Sequence, residues 1–436
     1  MTTGQHHTFI ELFAGGGLAR AGLGAGWRCL LANDIDRMKA SAYKANWDDA
    51  DLVVGDVRGL DADRISERPD LVFASPPCQD VSNAGARGGL DGGRSGAVWP
   101  ALDFIRRLGE RGLGPRLIVV ENVTGLASSR GGGDLAAVVR VLSAAKYKVG
   151  ALVVDAALLV PQSRRRLFVV AAAEDVAIPR GLVSEHPSRP WHPASVVSVA
   201  GKCERWMWLV PPVPSSRRQE LADLLDDDAE VRWHTASETE ALLALMSGRD
   251  SDRVGVARKT GTVIGTLTRR MRATATGSEQ RADLRIDGIA GCLRTPGGGS
   301  SQQSLLVADR SGVRTRPLAP REAARLMGLP DSYKLPRRRE DALRLLGDGV
   351  AVPVVRHLAA TLLEPMLTSV PEAAVPAPRP GIKGATRSTT LYLLPPELQR
   401  LRRLAVDLDV SLHDLMLRGL DRVLAEHGQR PIERYR

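Results

Sequence analysis

Residues 9–17 read FIELFAGGG, an apolar run that passes directly into three glycines. A continuous apolar run is typical of a strand buried on both faces, and a glycine-rich turn lets backbone N–H groups approach a nucleotide-like ligand. Similar apolar runs recur through the first 180 residues, at 29–32, 52–54, 71–74, 117–120, 151–154 and 167–173. Because helical patterns separate these runs, the segment predicts an α/β fold with a doubly wound, mostly parallel sheet.

Acidic residues follow the second and third predicted strands. Asp34 comes 19 residues after Gly15, where a carboxylate would meet the hydroxyls of a ribose, and Asp56 ends the third strand. With the glycine turn, these acids predict a nucleotide cofactor site. The alternative is that both acids only cap strand ends at the surface.

A candidate nucleophile follows the fourth predicted strand, where residues 75–79 read SPPCQ. Two prolines fix a rigid bend at the carboxyl end of a parallel strand, and Cys78 directly follows them. The next strand ends at Glu121 and Asn122, on the same edge of the sheet. A thiolate that adds to an aromatic ring needs an acid or hydrogen-bond donor for the charge that develops on ring nitrogen. The pairing therefore favours nucleophilic catalysis.

Together these motifs resemble the DNA (cytosine-5)-methyltransferase family of the bacterial modification type, over residues 8 to about 180 and 316 to about 367. The motifs that carry the resemblance are the cofactor loop 13–17 (FAGGG), the nucleophile motif 77–79 (PCQ), the base-holding motif 121–123 (ENV), the Gln-x-Arg-x-Arg element 162–166 (QSRRR), the helix of 316–331 and the final motif 347–350 (GDGV). In that final motif the family usually has Asn where this chain has Asp348.

The resemblance implies that Cys78 adds to C6 of a cytosine flipped out of the duplex, which makes C5 nucleophilic toward the methyl group of S-adenosylmethionine. Glu121 would hold N3 and the exocyclic amine of the base, and no metal takes part. The implied catalytic residues are Cys78, Glu121, Asn122, Arg164, Arg166, Pro77 and Gln79. The implied cofactor-binding residues are Phe13, Ala14, Gly15, Gly17, Leu18, Asp34, Ile35, Asp56, Val57, Pro76, Asp348 and Val350.

The charge of the chain predicts a polyanionic partner. Lys and Arg number 60 against 50 Asp and Glu, and residues 253–344 hold 19 basic and 8 acidic residues. The alternative is an arginine excess inherited from a GC-rich genome. The predicted contacts with double-stranded DNA are Arg87 and Arg94 in the glycine-rich segment 85–96, Gln162, Arg269, Arg270, Arg272, Arg281, Arg285, Cys292, Arg294 and Gly298.

Changes in pattern along the chain predict a catalytic cofactor-binding domain at 1–180, a smaller irregular target-recognition domain at 181–312, a return to the catalytic domain at 313–369, a linker at 370–387 and a tail at 388–436. The tail has a strand pattern at 389–394 and helix patterns at 397–408 and 412–426, with Ser411 as an N-cap. It resembles a ribbon-helix-helix module, which would form a homodimer or bind an operator. The alternative is a helical hairpin that packs on the catalytic domain.

Other features narrow the class of protein. The four cysteines show no CxxC spacing, which argues against a zinc site or a disulfide scaffold. With no signal peptide and no apolar run long enough to span a bilayer, we expect a cytoplasmic protein without a membrane partner. An RNA-directed cytosine methyltransferase and a DNA-binding regulator are the rival functions. The size of the target-recognition segment favours DNA, and a cognate restriction endonuclease would act as a separate protein.

Overall fold

The computed structural model describes residues 6–48, 50–77, 95–203, 205–215, 217, 219–227, 231–274, 277–295, 303–369, 395–408 and 410–430. Several predicted features therefore lie outside the described residues. These are Cys78, Gln79, Arg87, Arg94, Gly298, the linker and the strand of the tail.

A seven-stranded sheet forms the centre of the first compact unit, Met1–Glu372. Its strands are β1 (His7–Leu12), β2 (Trp27–Asp34), β3 (Leu52–Val54), β4 (Leu71–Ala74), β5 (Leu117–Val123), β6 (Tyr147–Asp155) and β7 (Arg165–Ala173). They lie in the order β3-β2-β1-β4-β5-β7-β6, and β7 alone runs antiparallel to its neighbours. Each predicted apolar run falls on one of these strands, and the predicted α/β class with a mostly parallel sheet is confirmed.

Both faces of this sheet are buried, which explains its continuous apolar runs. On β1, Phe9 belongs to one core cluster, whereas its neighbour Ile10 belongs to the other. Helices α3 (Val98–Glu110), α4 (Gly133–Ala144) and α5 (Ala194–Ala200) cover the Ile10 face. The Phe9 face is covered by α1 (Leu18–Leu23) and by helices from the far end of the unit.

Those distant helices return to the sheet after residue 317. They are α8 (Pro320–Leu326), α9 (Arg339–Asp348), α10 (Val352–Leu358) and α11 (Glu364–Thr368), with a π-helical turn at Ala359–Leu363 between the last two. Helix α10 packs closely on α1, because a Cβ on Gly22 would lie only 2.4 Å from Cβ of Val355. The long helical stretch Arg339–Thr368 is apolar enough to span a membrane, but 61% of its most apolar window is buried inside the protein.

The segment predicted to be irregular is more regular than its weak periodicity indicated. It contains short strands β8 (Val183–Ser184) and β9 (Trp208–Leu209), followed by helices α6 (Ala236–Leu243) and α7 (Gly248–Thr260). A four-stranded antiparallel sheet follows, built from β10 (Val263–Thr274), β11 (Gly277–Arg285), β12 (Gln303–Asp309) and β13 (Gly312–Pro317) in the order β11-β10-β12-β13. The remaining helix, α2 (Arg37–Asn46), lies outside this segment. It follows β2 and packs on the Phe9 face of the central sheet. Charged residues interrupt the apolar positions of β10 and β11, which hides their alternation. The boundaries at 180 and 312 stay predictions.

The second compact unit, Ala373–Arg436, holds the tail. Its described helices are α12 (Pro395–Asp407) and α13 (Leu412–Glu426), close to the predicted positions. The side chain of Ser411 accepts a hydrogen bond from the backbone N–H of Asp414 at 3.0 Å, which confirms the predicted N-cap. Ala405 is the one apolar side chain that is buried among the described residues of this unit.

Candidate active site

One cavity of about 350 Å³ lies at the carboxyl ends of β1, β2, β4 and β5. In a doubly wound sheet, ligands bind at this edge. The predicted residues that line it are Phe13, Ala14, Gly15, Leu18, Asp34, Ile35, Pro76, Pro77, Glu121, Asn122, Arg166, Asp348 and Val350. The structure therefore brings the predicted cofactor loop, the residues before Cys78 and the base-holding motif to one place.

The glycine loop after β1 exposes its backbone to this cavity. Phe13 and Gly15 both have φ of 59°, and a Cβ added to Gly15 would meet no atom within 4 Å. Behind the loop, the carbonyl of Gly16 accepts hydrogen bonds from the hydroxyl of Tyr333 at 2.7 Å and from the indole of Trp47 at 3.1 Å. The loop is thus held from behind and open in front, as a backbone cradle for a ligand requires.

Asp34 fixes the same loop to β2. One carboxylate oxygen accepts from the N–H of Gly15 at 2.8 Å, and the other accepts from the N–H of Asp36 at 2.7 Å. Burial raises the pKa of Asp34. The neighbouring Ile35 is 64% exposed although it is large and apolar, so it offers a surface on which a flat apolar group could stack.

Glu11 lies at the inner end of the cavity and is fully buried. Burial raises the pKa of its carboxyl to about 8, against the lowering effects of Arg20 and of backbone N–H groups of α1. Its Oε2 atom is buried and has no hydrogen-bond partner within the described part of the chain. An unpaired acceptor of this kind is suited to a ligand that carries an ammonium group.

Glu121 and Arg166 form an ion pair on the wall of the cavity. Nε of Arg166 lies 3.1 Å from Oε1 of Glu121, and both side chains are largely buried. Burial raises the pKa of Glu121, although Arg166, Arg164 and the hydroxyl of Ser75 oppose this effect. A carboxyl with a raised pKa is better able to donate a proton or a hydrogen bond to a ring nitrogen.

Asn122 joins β5 to the segment that leads to Cys78. Its side-chain amide donates to the carbonyl of Pro76 at 3.2 Å. Pro77 is exposed and lines the cavity, and it is the last described residue before Cys78. The chain thus enters the nucleophile segment from the rim of the cavity, beside Glu121.

Arg164 and Gln162, predicted as a catalytic residue and a DNA contact, are both buried away from the cavity wall. Arg164 is 2% exposed and donates to the carbonyls of Leu293 at 2.9 Å and Gly347 at 2.9 Å, so it braces the backbone and forms no ion pair with Glu121 among the described residues. Gln162 is fully buried, and its amide bonds to the carbonyl of Leu326 and the N–H of Leu293. Since DNA cannot reach a buried, paired amide, the prediction of a DNA contact at Gln162 is wrong.

Three predicted cofactor residues also lie off the cavity wall. Asp56 caps a helical turn, where it accepts from the N–H of Arg58 at 2.9 Å and forms an ion pair with its guanidinium. Val57 is buried in the core of the opposite face, and Gly17 packs against Trp47. In this structure Asp56 therefore caps a turn at the surface, which was the alternative to a role in cofactor binding.

The predicted DNA-contacting arginines of β10 and β11 are mostly paired with acids. Arg270 and Arg272 both bind Asp283, at 3.2 and 2.8 Å, and similar pairs join Arg281 to Glu279 and Arg285 to Asp287. The strand register places Arg270, Arg272, Arg281 and Asp283 on one face, while Leu267 and Leu284 pack into a core on the other. Arg269 has its Nε buried without a hydrogen-bond partner among the described residues.

Cys292 lies among arginines near the cavity. Burial by itself would raise the pKa of its thiol, but the charges of Arg164, Arg166 and Arg294 outweigh burial and lower the pKa. Arg294 is exposed and makes no ion pair within the described part of the chain. Arg294 also acts electrostatically on Arg270, which belongs to the charged face of β10 and β11.

Some residues at the cavity were not predicted from the sequence. They are Glu11, Gly16, Asp36, Lys39, Ser75, Thr295, Arg344 and Leu345. Glu11 sits inside the apolar run of β1, where an isolated acid is a usable signal. Lys39, Thr295 and Arg344 carry no local signal, because segments far apart in the chain bring them together.

Comparisons with known proteins identify the family. The model of the C-5 cytosine-specific DNA methylase family matches residues 7–364. The Type II methyltransferase M.HpaII of Haemophilus parainfluenzae is 26% identical over 385 residues, which cover 83% of this chain and 90% of that protein. M.HhaI of Haemophilus parahaemolyticus is also 26% identical, over 357 residues that cover 80% and 92% of the two chains.

Similarity to solved structures concerns the fold. The crystal structure of the S. pombe Dnmt2 methyltransferase aligns with a TM-score of 0.53 and 18% identity, covering 84% of this chain and 100% of that one. At this level of identity the similarity shows a shared fold and no more.

The family match includes all seven strands of the central sheet and the returning helices α8 to α10. The segments that line the cavity, from the glycine loop after β1 to the turn between α9 and α10, all fall within it. The chain therefore belongs to the C-5 cytosine-specific DNA methylase family and is a DNA cytosine-5 methyltransferase.

Proposed function

We propose that this enzyme methylates a cytosine that has been flipped out of double-stranded DNA, through a covalent bond between Cys78 and C6 of the base. The observation that carries the proposal is the Glu121–Arg166 ion pair at a cavity that the glycine loop also lines. The segment of Pro76 and Pro77 enters the same cavity directly before Cys78. A nucleophile, an acid and a cofactor cradle would then serve one base.

We propose S-adenosylmethionine as the cofactor, because the cavity fits its chemistry. The open front of Gly15 suits close approach to a ligand, and the exposed Ile35 suits an adenine ring. The unpaired Oε2 of Glu11 suits an ammonium group. When bound, the cofactor supplies an electrophilic methyl group on a sulfonium. Phe13, Gly15, Asp34 and Ile35 would hold it.

The residues of the chain would act in a fixed order. The Cys78 thiolate forms a bond to C6, and the electron pair of the C5–C6 double bond shifts so that C5 becomes nucleophilic. Glu121 hydrogen-bonds N3 and stabilises the charge that develops there, and Arg166 orients Glu121. After C5 is methylated, a base removes the C5 proton, the double bond forms again and the Cys78 thiolate leaves.

Access to C6 requires base flipping, because the atom is hidden in the stacked duplex. We propose that the charged face of β10 and β11, together with Arg294, holds the DNA during this step. Its support is electrostatic: the charges of Arg272 and Arg294 both act on Arg270, and those of Arg294 and Arg166 both act on Cys292. Arg87, Arg94 and Gly298, outside the described residues, stay predicted DNA contacts.

The tail would act separately from catalysis. We propose that its helices pair with those of a second copy of the chain, because Leu404, Leu408, Leu420 and Val423 are each about half exposed. Such a dimer could bind an operator as a ribbon-helix-helix protein does. We place the enzyme in the cytoplasm with the DNA that it modifies, and any cognate restriction endonuclease acts independently.

A trapping experiment tests the covalent mechanism. Bisulfite mapping of DNA from cells that express the enzyme first identifies the target site. The wild-type enzyme is then incubated with S-adenosylmethionine and a duplex whose target cytosine is replaced by 5-fluorocytosine, because fluorine blocks the loss of the C5 substituent and leaves the protein attached. We expect a covalent adduct that resists denaturing electrophoresis.

The control is Cys78→Ser, which should form no adduct while it still binds the duplex. An adduct formed only with RNA would support the RNA-directed rival. If no adduct forms with either nucleic acid although the duplex is bound, the covalent mechanism is wrong and a DNA-binding role is favoured.

A further inference from the structure

The hairpin of β10 and β11 extends beyond the rest of its sheet. Strand β12 pairs with β10 only as far as Thr268, opposite Gln303, whereas β10 and β11 pair with each other as far as Thr274 and Gly277. Within the described part of the chain, the residues of β10 after Thr268 therefore have β11 as their one neighbouring strand. The major groove of B-DNA is wide enough to admit a two-stranded ribbon of this kind, and it exposes the edges of the bases.

This ribbon carries an acid between two arginines. Nη2 of Arg272 lies 2.8 Å from both carboxylate oxygens of Asp283, and Nε of Arg270 lies 3.2 Å from Oδ2 of the same acid. An acid on a surface that only binds phosphates would weaken the binding, because both groups are negative. Exposed ion pairs also add little stability, and these side chains are between 34% and 55% exposed. Asp283 on this face therefore suggests a role in orienting its arginines.

The contact with Asp283 holds one side of Arg270 and leaves its end free. Nε faces the carboxylate, whereas Nη1 and Nη2 donate no hydrogen bond within the described residues. Two terminal nitrogens that point the same way match the O6 and N7 acceptors that guanine presents in the major groove. Because the acid already restricts this long side chain, binding costs less conformational entropy.

Arg270 also lies on the side of the hairpin that is close to the catalytic cavity. Thr268 is on the same face of β10, and a Cβ on Gly291 would lie 3.2 Å from its Oγ1. The next residue, Cys292, interacts electrostatically with Arg270 and with Arg166, the partner of Glu121. A base that Arg270 contacts would therefore be close to the cytosine that enters the cavity.

We propose that Arg270 reads a guanine of the target site in the major groove, and that Asp283 is the positioning residue that orients it. Arg272 holds the other side of Asp283 and offsets its charge. The inference rests on the proposed function, because it requires a duplex on the charged face of β10 and β11. It adds the recognition of one base to a face that otherwise only holds the DNA.

The experiment removes one acceptor atom from the DNA at a time. Each guanine of the mapped target site, on either strand, is replaced in turn by 7-deazaguanine, which lacks N7 but still pairs with cytosine. Fluorescence anisotropy gives the dissociation constant of each duplex, and its ratio to that of the unmodified duplex is the penalty for that guanine. At one guanine we expect a wild-type penalty of about tenfold, which corresponds to one hydrogen bond from a charged donor.

Variants of the two residues should change this penalty in different degrees. Arg270→Ala should show no penalty at that guanine, and bisulfite mapping in cells that express it should find methylated sites with other bases at this position. In Asp283→Asn the arginine is still present but less well oriented, so we expect a penalty of about threefold or less.

Glu279→Gln is the matched control. It removes the same charge from the same face, but Glu279 is paired with Arg281 at 2.9 Å. Asp283→Asn and Glu279→Gln should both bind a random-sequence duplex at least as tightly as wild type, because each removes negative charge near the phosphates. Only Asp283→Asn should reduce the penalty at the guanine. A damaged fold would instead weaken the binding of every duplex.

The outcomes are distinct. If no guanine shows a penalty with the wild-type enzyme, or if the penalty is unchanged in Arg270→Ala, the inference is wrong. A penalty that is lost in Arg270→Ala but kept in full in Asp283→Asn overturns the positioning role of Asp283. Both results leave the proposed function intact when the wild-type enzyme forms the 5-fluorocytosine adduct. An enzyme that neither binds the unmodified duplex nor forms that adduct would refute the proposed function itself.

Discussion

Glu11 is an ionisable side chain in a buried position, which is unfavourable for the fold. An acid within the apolar strand β1 is buried, and it avoids the cost of a buried charge by staying protonated at neutral pH. A buried acid of this kind destabilises the fold, so we infer that it is retained because it serves the cavity. Its unpaired oxygen and its place beside the glycine loop connect it with the ligand rather than with stability.

The protonation of Glu11 makes the stability of the protein depend on pH. The pKa is about 8 in the folded chain and 4.5 as the ordinary value, so the folded state holds a proton that the unfolded state releases. This contribution is complete below pH 4.5 and is lost as the pH rises toward 8. Relative to Glu11→Gln, we expect the wild-type free energy of unfolding to fall by up to about 5 kcal/mol over this interval.

Urea unfolding of both proteins at several pH values from 4.5 to 8 measures this difference. Other titrating groups are common to both proteins, so their effects cancel. Parallel curves for wild type and Glu11→Gln would contradict the raised pKa.

At the scale of elements, the sequence predicted the positions of β1 to β7 because strands buried on both faces must be apolar throughout. It could not show that β7 is antiparallel, since an apolar run such as 167–173 reads the same in either direction. As the sequence predicted, Gly15, Asp34 and Glu121 follow or end these strands and line one cavity, and their roles stay predictions. The prediction of a DNA contact at Gln162 was wrong, and Arg164 is buried as well, because a family motif gives residue types and not which side chains turn into the core.

The ion pairs of the hairpin of β10 and β11 lead to a prediction about which arginines bind DNA. Four of its arginines, Arg270, Arg272, Arg281 and Arg285, already have acidic partners. Arg294 instead is exposed and makes no ion pair within the described residues. We expect Arg294→Gln to weaken binding of the target duplex by about three- to tenfold and to lower the slope of log affinity against log salt by about one.

Arg281→Gln is the matched control, since Arg281 is paired with Glu279 at 2.9 Å on the same charged face. Fluorescence anisotropy over a range of salt concentrations should show a smaller loss for this variant. Equal losses for Arg281→Gln and Arg294→Gln would mean that internal pairing does not decide which arginines meet the phosphates.

At the scale of the whole molecule, the chain divides into a catalytic unit and a tail that has little core of its own. A helical pair with Ala405 as its one buried apolar side chain among the described residues is too small to be stable alone. We therefore expect light scattering to give twice the chain mass for the full-length enzyme and the single mass after removal of residues 373–436.

The shortened enzyme should still form the 5-fluorocytosine adduct, because the cavity belongs to the first unit. Leu420→Asp tests the same surface within the full chain and should also give a monomer. A dimer that survives both changes would place the interface outside the tail.

The packing of α8 to α11 on the Phe9 face has a consequence for biosynthesis. When a ribosome has completed only the first 317 residues, the strands of the central sheet exist, but the helices that shield one side of them do not. Val355 cannot yet meet Gly22, and neither Gly347 nor Gly349 is available to Arg164. A nascent chain of this length exposes the apolar side chains of the Phe9 face to solvent, and we expect chaperones to bind it. We expect methyltransferase activity only after helices α8 to α11 have been synthesised.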